Sequence, residues 1–358
     1  MGTPLNIPLI TDYYLRDMTK SLKSGWLTQG KYVQQLESDI AAYVGTKYAV
    51  AASSGTAALH LSLLAHGIGK GDEVIVPAFS FVATASAVEL TGARPVFVDI
   101  YPDTLCISVG QIKKAITKKT KAIIPVHAFG LPAEMAHITE TAREHSIVVI
   151  EDAACAIGAM YHTYQAGSLG HVGCFSFHGR KLITSGEGGM VTTDNKQVAD
   201  TIRSLRSHGV DTSGRYVTLG YNYRMTDFQA AMLLGQVRAI DNMVIRRRHI
   251  AQRYNDKLDS SIGRQAEPAF VKHSYQSYHI TAPAKVAEEL NSRGIEAKKG
   301  AQFIPAEPYY RQKYNPDLTR FPVASQVYEN SIVIPIYQTL SNQEEIISCI
   351  NHTVRENT

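Results

Sequence analysis

The chain is poor in cysteine: Cys106, Cys155, Cys174 and Cys349 are the four in 358 residues, and no two share a CxxC spacing. That usage fits neither a zinc site nor a disulfide framework, so a reducing compartment is expected. No stretch reaches the roughly 18 consecutive apolar residues that a membrane span needs, and no basic segment followed by an apolar core opens the chain. Met1-Gly2 begins like a myristoylation signal, but Asn6 stands where that signal needs Ser or Thr. No Gly-x-Gly-x-x-Gly follows the first strand, which sets aside a nicotinamide-binding Rossmann unit. Charge of neither sign dominates, since 36 basic residues against 32 acidic ones leave +4. The densest basic run, Arg246-Arg247-Arg248-His249, falls in a helical stretch and reads as a solvated face. A cytoplasmic protein without nucleic-acid or membrane partners is expected.

What the chain does have is alternation. Short β-branched runs, Tyr48-Ala52, Glu73-Pro77, Pro95-Asp99, Ala122-Val126, Ile147-Glu151, Val172-Phe177 and Met190-Thr193, recur between helical stretches. Several are apolar throughout, as strands covered on both faces are. The pattern predicts a mainly parallel, doubly wound α/β sheet whose loops after the strands line one ligand-binding edge. Thr226 and Gln229 have the spacing of a capping box and predict a helix from there to about Leu258. Residues 266 to 358 mix strand-like pieces, Tyr278-Ala282 and Ile332-Pro335, with helical ones, Val286-Arg293 and Asn342-Val354. Two units are therefore expected: a large one over 1–235 that includes the N-terminal segment, and an interdomain helix with a smaller α+β unit over 236–358.

Three segments carry chemistry together. Ser53-Ser54-Gly55-Thr56-Ala57-Ala58 is a small-residue turn that opens a helix, where free backbone N–H groups and the helix dipole favour an anion; it reads equally as an ordinary helix cap. Val149-Ile150-Glu151-Asp152 is a buried strand ending in two acids. Asp152 there needs a cation, such as a protonated pyridine nitrogen, unless it is a helix cap or surface ion pair. Cys174 to Lys181, followed by Gly186-Glu187-Gly188-Gly189, brings an amine to the same sheet edge, where it can become a nucleophile that condenses with an aldehyde.

These segments, with Ser24-Gly25-Trp26-Leu27-Thr28-Gln29-Gly30, the run Pro77 to Thr84, and Gly220-Tyr221-Asn222-Tyr223-Arg224-Met225, resemble the DegT/DnrJ/EryC1/StrS sugar aminotransferases over nearly the whole chain. The resemblance implies pyridoxal 5'-phosphate (PLP) fold type I, with a seven-stranded, mainly parallel sheet and a smaller C-terminal α+β domain. It makes Lys181 the aldimine lysine and Asp152 the partner of the pyridine nitrogen. It puts Phe81 on the cofactor ring, Gly55, Thr56 and Ser176 at its phosphate, and Asn222 at the phosphate of the second subunit in a homodimer with composite sites. Cys155 stands where relatives commonly carry Gln or His, and it is a weak partner for the cofactor's phenolic oxygen. Gly300 to Pro305 lacks a His found in many relatives.

The activity implied is a two-stage transfer of an amino group from L-glutamate to a nucleotide-linked ketosugar, with Lys181 moving the proton. In the family, Thr-Thr-Gly-Glu-Gly-Gly goes with amination at C4 of 4-keto-6-deoxyhexoses and Ala-Tyr-Gly-Asp-Gly-Gly with C3. Thr184-Ser185-Gly186-Glu187-Gly188-Gly189 leans towards C4 and a role in surface polysaccharide biosynthesis such as O-antigen. 3-Keto sugars and cyclitols are the alternative substrates, and a non-catalytic regulatory protein is the alternative of another class. The sibling sugar 3-dehydratases carry His in place of the lysine, so Lys181 argues against that class. Trp26, Thr28, His178, Glu187 and Arg224 are the candidate substrate contacts. For His178, Trp26 and Arg224 structural packing is the competing reading.

Overall fold

The computed structural model describes residues 2–356. Its centre is a seven-stranded sheet in the order Tyr48–Ala52, Gly189–Thr193, Val172–Ser176, Val148–Asp152, Thr120–Ile123, Glu73–Pro77, Arg94–Val98. Gly189–Thr193 runs antiparallel to both its neighbours and every other pairing is parallel, so six strands end at the same edge. Each strand lies within about three residues of its sequence expectation, because interior strands covered on both faces show up as apolar runs.

The helix Gly55–Ala65 packs on this sheet and is buried along most of its length, from Ala57 to Leu63. Ser54 caps it: its Oγ accepts the Ala57 N–H at 3.1 Å, a contact of about 1 kcal/mol. Asp227–Val237 starts at the expected capping box of Thr226 and Gln229. The helix does not run on to Leu258 as expected. Ala239, at φ −106° and ψ 0°, leaves the helical region, and a second helix begins at Ile240 and ends at Lys257. The turn tightens there, with the Ala239 N–H donating to Gln236 O, three residues back, at 2.9 Å.

That second helix also corrects the reading of its basic run. Arg246 and His249 are exposed, but Arg247 is fully buried. Helical periodicity puts it on the inward stripe with Met243, Ala251 and Tyr254, all buried.

Beyond it, Gly263–Arg264, Tyr278–Thr281 and Ser331–Ile334 form a three-stranded antiparallel sheet packed with the helices Ala284–Ser292 and Gln343–Arg355 into a core of its own. The N-terminal residues join this part of the chain: Thr3 pairs with Ile295, and the Ile336 N–H donates to Leu5 O at 3.1 Å.

Candidate active site

Four of the parallel strands deliver their C-terminal ends to one edge, and each carries a segment singled out above. Val148–Asp152 ends in Asp152, which is 6% exposed. Thr84 Oγ1 donates to Asp152 Oδ2 at 2.7 Å and the Ala154 N–H to Oδ1 at 3.3 Å. Burial raises the pKa of Asp152, and this outweighs those two hydrogen bonds and the charge of nearby Lys181. Among the described residues none forms an ion pair with it.

Glu151, one residue earlier, belongs to a different arrangement. Its Oε1 accepts the N–H groups of Leu169 and Gly170, both at 2.7 Å. Its Oε2 accepts Gly167 N–H at 2.8 Å and faces His127 Nε2 at 2.8 Å. His127 Nδ1 accepts the Ala133 N–H, which puts the ring proton on Nε2, towards Glu151. The two acids at the strand end thus divide into a structural one and one left with a cation to find.

Val172–Ser176 continues into the loop bearing Lys181. The Lys181 amine is half-buried and donates to Cys155 Sγ at 3.0 Å, so Cys155 lies within reach of the amine. Ser176 is at the end of its strand beside Gly55: a Cβ on Gly55 would stand 2.9 Å from Ser176 Cβ. Gly55 and Thr56 are the first two residues of their helix, where backbone N–H groups have no intrahelical acceptor. Gly189 packs against the same turn, since a Cβ on it would meet Ser54 O at 2.2 Å. The Gly-Glu-Gly-Gly run is thus required in part for close backbone approach, independently of any substrate.

Phe81 is 65% exposed at the rim, three residues before Thr84, which excludes core packing as its role in this chain. Trp26, 61% exposed, donates through Nε1 to Gln29 O at 3.3 Å, and Thr28 is exposed beside it. Asp227 Oδ1 pins that loop by accepting the N–H groups of Gly30 and Val33. Gln229 Nε2 donates to Glu187 O, joining the start of its helix to the glycine-rich loop. His178 Nε2 stands 3.8 Å from Glu187 Oε1, and both side chains are largely solvent-facing. Arg224 is half-buried and has no hydrogen bond or ion pair among the described residues. Asn222 is exposed and its side chain does not join the cradle of its own chain, although the next residue, Tyr223, accepts the Ser53 N–H at 2.8 Å.

The structure therefore brings together Gly55, Thr56, Asp152, Cys155, Ser176 and Lys181. It adds Thr84 and Gln276, which sequence reasoning did not single out. Thr84 lies within the recognised run from Pro77, where a helix-start Thr carries no mark of its partner. Gln276 is separated from Lys181 by more than ninety residues and bears no local signal. The donor set fits PLP: helix-terminal N–H groups and Ser176 for an anion, an uncompensated buried carboxylate for a ring cation, and an amine at the same edge.

The chain matches the family model for DegT/DnrJ/EryC1/StrS aminotransferases over residues 8–351. It is 37% identical to the GDP-perosamine synthase of Escherichia coli O157:H7, over 97% of this chain and 96% of that one. It is also 37% identical to the spore coat polysaccharide biosynthesis protein SpsC of Bacillus subtilis, over 98% and 97%. Among solved structures, the PLP form of Spr1654 from Streptococcus pneumoniae, described as a sugar aminotransferase, superimposes with a TM-score of 0.95 at 30% identity and covers 100% of both chains. With these likenesses spanning the chain and the site, the protein belongs to the DegT/DnrJ/EryC1/StrS aminotransferase family and is a PLP-dependent aminotransferase.

Proposed function

We propose that the enzyme transfers an amino group from L-glutamate to C4 of a nucleotide-linked 4-keto-6-deoxyhexose, as a homodimer in the cytoplasm, in the biosynthesis of a surface polysaccharide such as an O-antigen. When bound, the cofactor supplies an aldehyde that accepts the amino group and a ring that spreads the charge of a deprotonated carbon. Lys181 would hold the cofactor covalently. Once released, its Nζ takes the proton from the α carbon of the donor and returns one to C4 of the acceptor. Asp152, oriented by Thr84, would keep the ring nitrogen protonated. Gly55, Thr56 and Ser176 would hold the phosphate and Phe81 would contact the ring, with Cys155 beside the amine.

The observation that carries this reading is the placement of Lys181 near the uncompensated buried carboxylate of Asp152 at one sheet edge. For the substrate, support comes from the Thr184-to-Gly189 sequence and from the relatives named as GDP-perosamine synthases, because perosamine is a 4-amino-4,6-dideoxyhexose. A GDP-linked sugar is the first to test. Trp26, Thr28, His178, Glu187 and Arg224 are the candidate substrate contacts, and the Arg224 guanidinium, which has no partner among the described residues, suits a phosphate or carboxylate. The exposed Asn222, near the exposed apolar residues Tyr216, Val217 and Leu219, supports a second subunit that covers this face and receives Asn222 at its phosphate.

The experiment is glutamate-dependent amination of a panel of nucleotide 4-keto-6-deoxyhexoses, compared with 3-keto sugars and scyllo-inosose. Turnover confined to 4-keto sugars is expected. Turnover of only a 3-keto sugar or the cyclitol would replace the C4 assignment.

A further inference from the structure

Gln276 grips the backbone on both sides of Lys181. Its Oε1 accepts the Leu182 N–H at 2.7 Å, and its Nε2 donates to Arg180 O at 2.7 Å. The side chain is 7% exposed, so water does not compete for these contacts. Gln236 holds the same loop three residues on, its Oε1 accepting the Thr184 N–H at 2.9 Å and its Nε2 donating to Thr184 O at 2.8 Å, but the residues that flank Lys181 are tied by Gln276.

Gln276 is itself held by Arg247, the buried arginine of the basic run. Arg247 Nη1 donates to Tyr275 O at 3.0 Å and Gln276 O at 2.8 Å, and Nη2 donates to Asn6 Oδ1 at 2.5 Å. No carboxylate pairs with Arg247 among the described residues, and burial pushes its pKa down to about 9. A guanidinium kept in so unfavourable a place is consistent with a job done through those two carbonyls. One residue to the other side, Ser274 Oγ donates to Cys155 O at 3.3 Å and to Gly130 O at 3.4 Å. The segment 274–276, which leads into the strand Tyr278–Thr281, therefore touches both the Cys155 turn and the Lys181 loop.

We propose that Gln276 is a positioning residue that fixes the Lys181 amine against the cofactor, and that Arg247 locks Gln276 in that role. The inference rests on Lys181 being the lysine that bonds the cofactor. The Gln276 side chain bonds to the backbone of residues 180 and 182, not to Lys181 Nζ or Asp152. It acts by holding residues 180 and 182 so that Nζ points at one place through both halves of the reaction, where a misplacement of about 1 Å lowers rates by up to a hundredfold.

The test uses Gln276→Met, which keeps the volume and removes both hydrogen bonds, and Gln276→Glu, which keeps the acceptor for Leu182 N–H alone. In cofactor-free protein, exchange of the Leu182 amide is expected to accelerate in Gln276→Met and to stay near the parent in Gln276→Glu. In loaded protein, the pH midpoint of the visible absorbance band is expected to move by about half a unit or more in both variants. The glutamate half-reaction is expected to slow about ten- to a hundredfold in Gln276→Met, with glutamate affinity little changed. A parent-like midpoint and half-reaction in both variants overturns the proposal. If Gln276→Met does not fold, the Gln276→Glu midpoint and half-reaction decide alone. The parent is treated with borohydride alongside: absence of cofactor on its Lys181 defeats the reading of the site, whereas trapping there with unaltered variants defeats only the role of Gln276.

Discussion

Glu151 and Asp152 are consecutive carboxylates on one strand that serve opposite ends. Glu151, fully buried, is saturated by three backbone N–H groups and the His127 ring, whereas Asp152 has two hydrogen bonds and no cation partner. Strand geometry sends adjacent side chains to opposite faces, one into the loop 167–170 and the other towards the cofactor edge.

Exchange of the two acids for amides should therefore separate stability from cofactor binding. Glu151→Gln turns an N–H₂ towards donors that need an acceptor, and it should cost about 3 kcal/mol or more. Asp152→Asn removes a charge that burial disfavours, so the melting temperature of the cofactor-free protein should stay or rise while the stabilisation by added PLP is lost. Thermal melts of both variants with and without PLP check this. A large loss in cofactor-free Asp152→Asn would contradict the assignment.

Gly55→Ala should weaken the phosphate cradle. The added methyl would meet Ser176 Cβ at 2.9 Å, so the helix start or Ser176 must move. Affinity for PLP, titrated by fluorescence or absorbance, is expected to fall about tenfold, equivalent to one lost charge-assisted hydrogen bond. Unchanged affinity would remove Gly55 from the phosphate site.

Acid should destabilise the fold from near neutral pH. Burial holds both His273 and His279 down to about 3, and the charge of Arg248 adds to this for His273. His273 Nδ1 accepts the Tyr275 N–H at 2.8 Å, so protonation of that nitrogen would set donor against donor. With folded values below the unfolded one, the unfolded chain takes up protons first. The stabilisation is complete above about pH 6.5 and is lost as pH falls towards 3, at up to about 1.4 kcal/mol per unit for each histidine. Urea midpoints at pH 7.5 and 5.5 measure it, and equal midpoints would show that these rings are not held neutral.

Mixed dimers test the composite site. If Asn222 serves the phosphate of the partner site, Lys181→Ala and Asn222→Ala subunits should complement, because each heterodimer collects both defects in one site and leaves the other intact. Activity above the sum of the two parents after mixing and reassociation is expected. No gain on reassociation would place Asn222 in the site of its own chain.

The strands and the chemistry at their ends were legible in the sequence because apolar runs, small-residue turns and short motifs are local. Asp152 and Ser176 end their strands, Gly55 and Lys181 follow theirs within a short turn, and parallel topology brings them to one edge. What escaped was set by packing at a distance. The break at Ala239 lies in an unbroken helical pattern, the burial of Arg247 depends on what covers its stripe, and Thr84 and Gln276 reach the site through partners far along the chain. The exposure of Phe81 and the division of labour between Glu151 and Asp152 likewise appear only once the loops around them are placed.

The most direct test is borohydride reduction of the PLP-loaded enzyme, followed by digestion and mass spectrometry. The cofactor is expected on Lys181 alone, and Lys181→Ala should lose the visible band and at least about 10²–10⁴-fold of the transamination rate. Cofactor fixed to any other lysine, or substantial turnover by Lys181→Ala, would contradict the account.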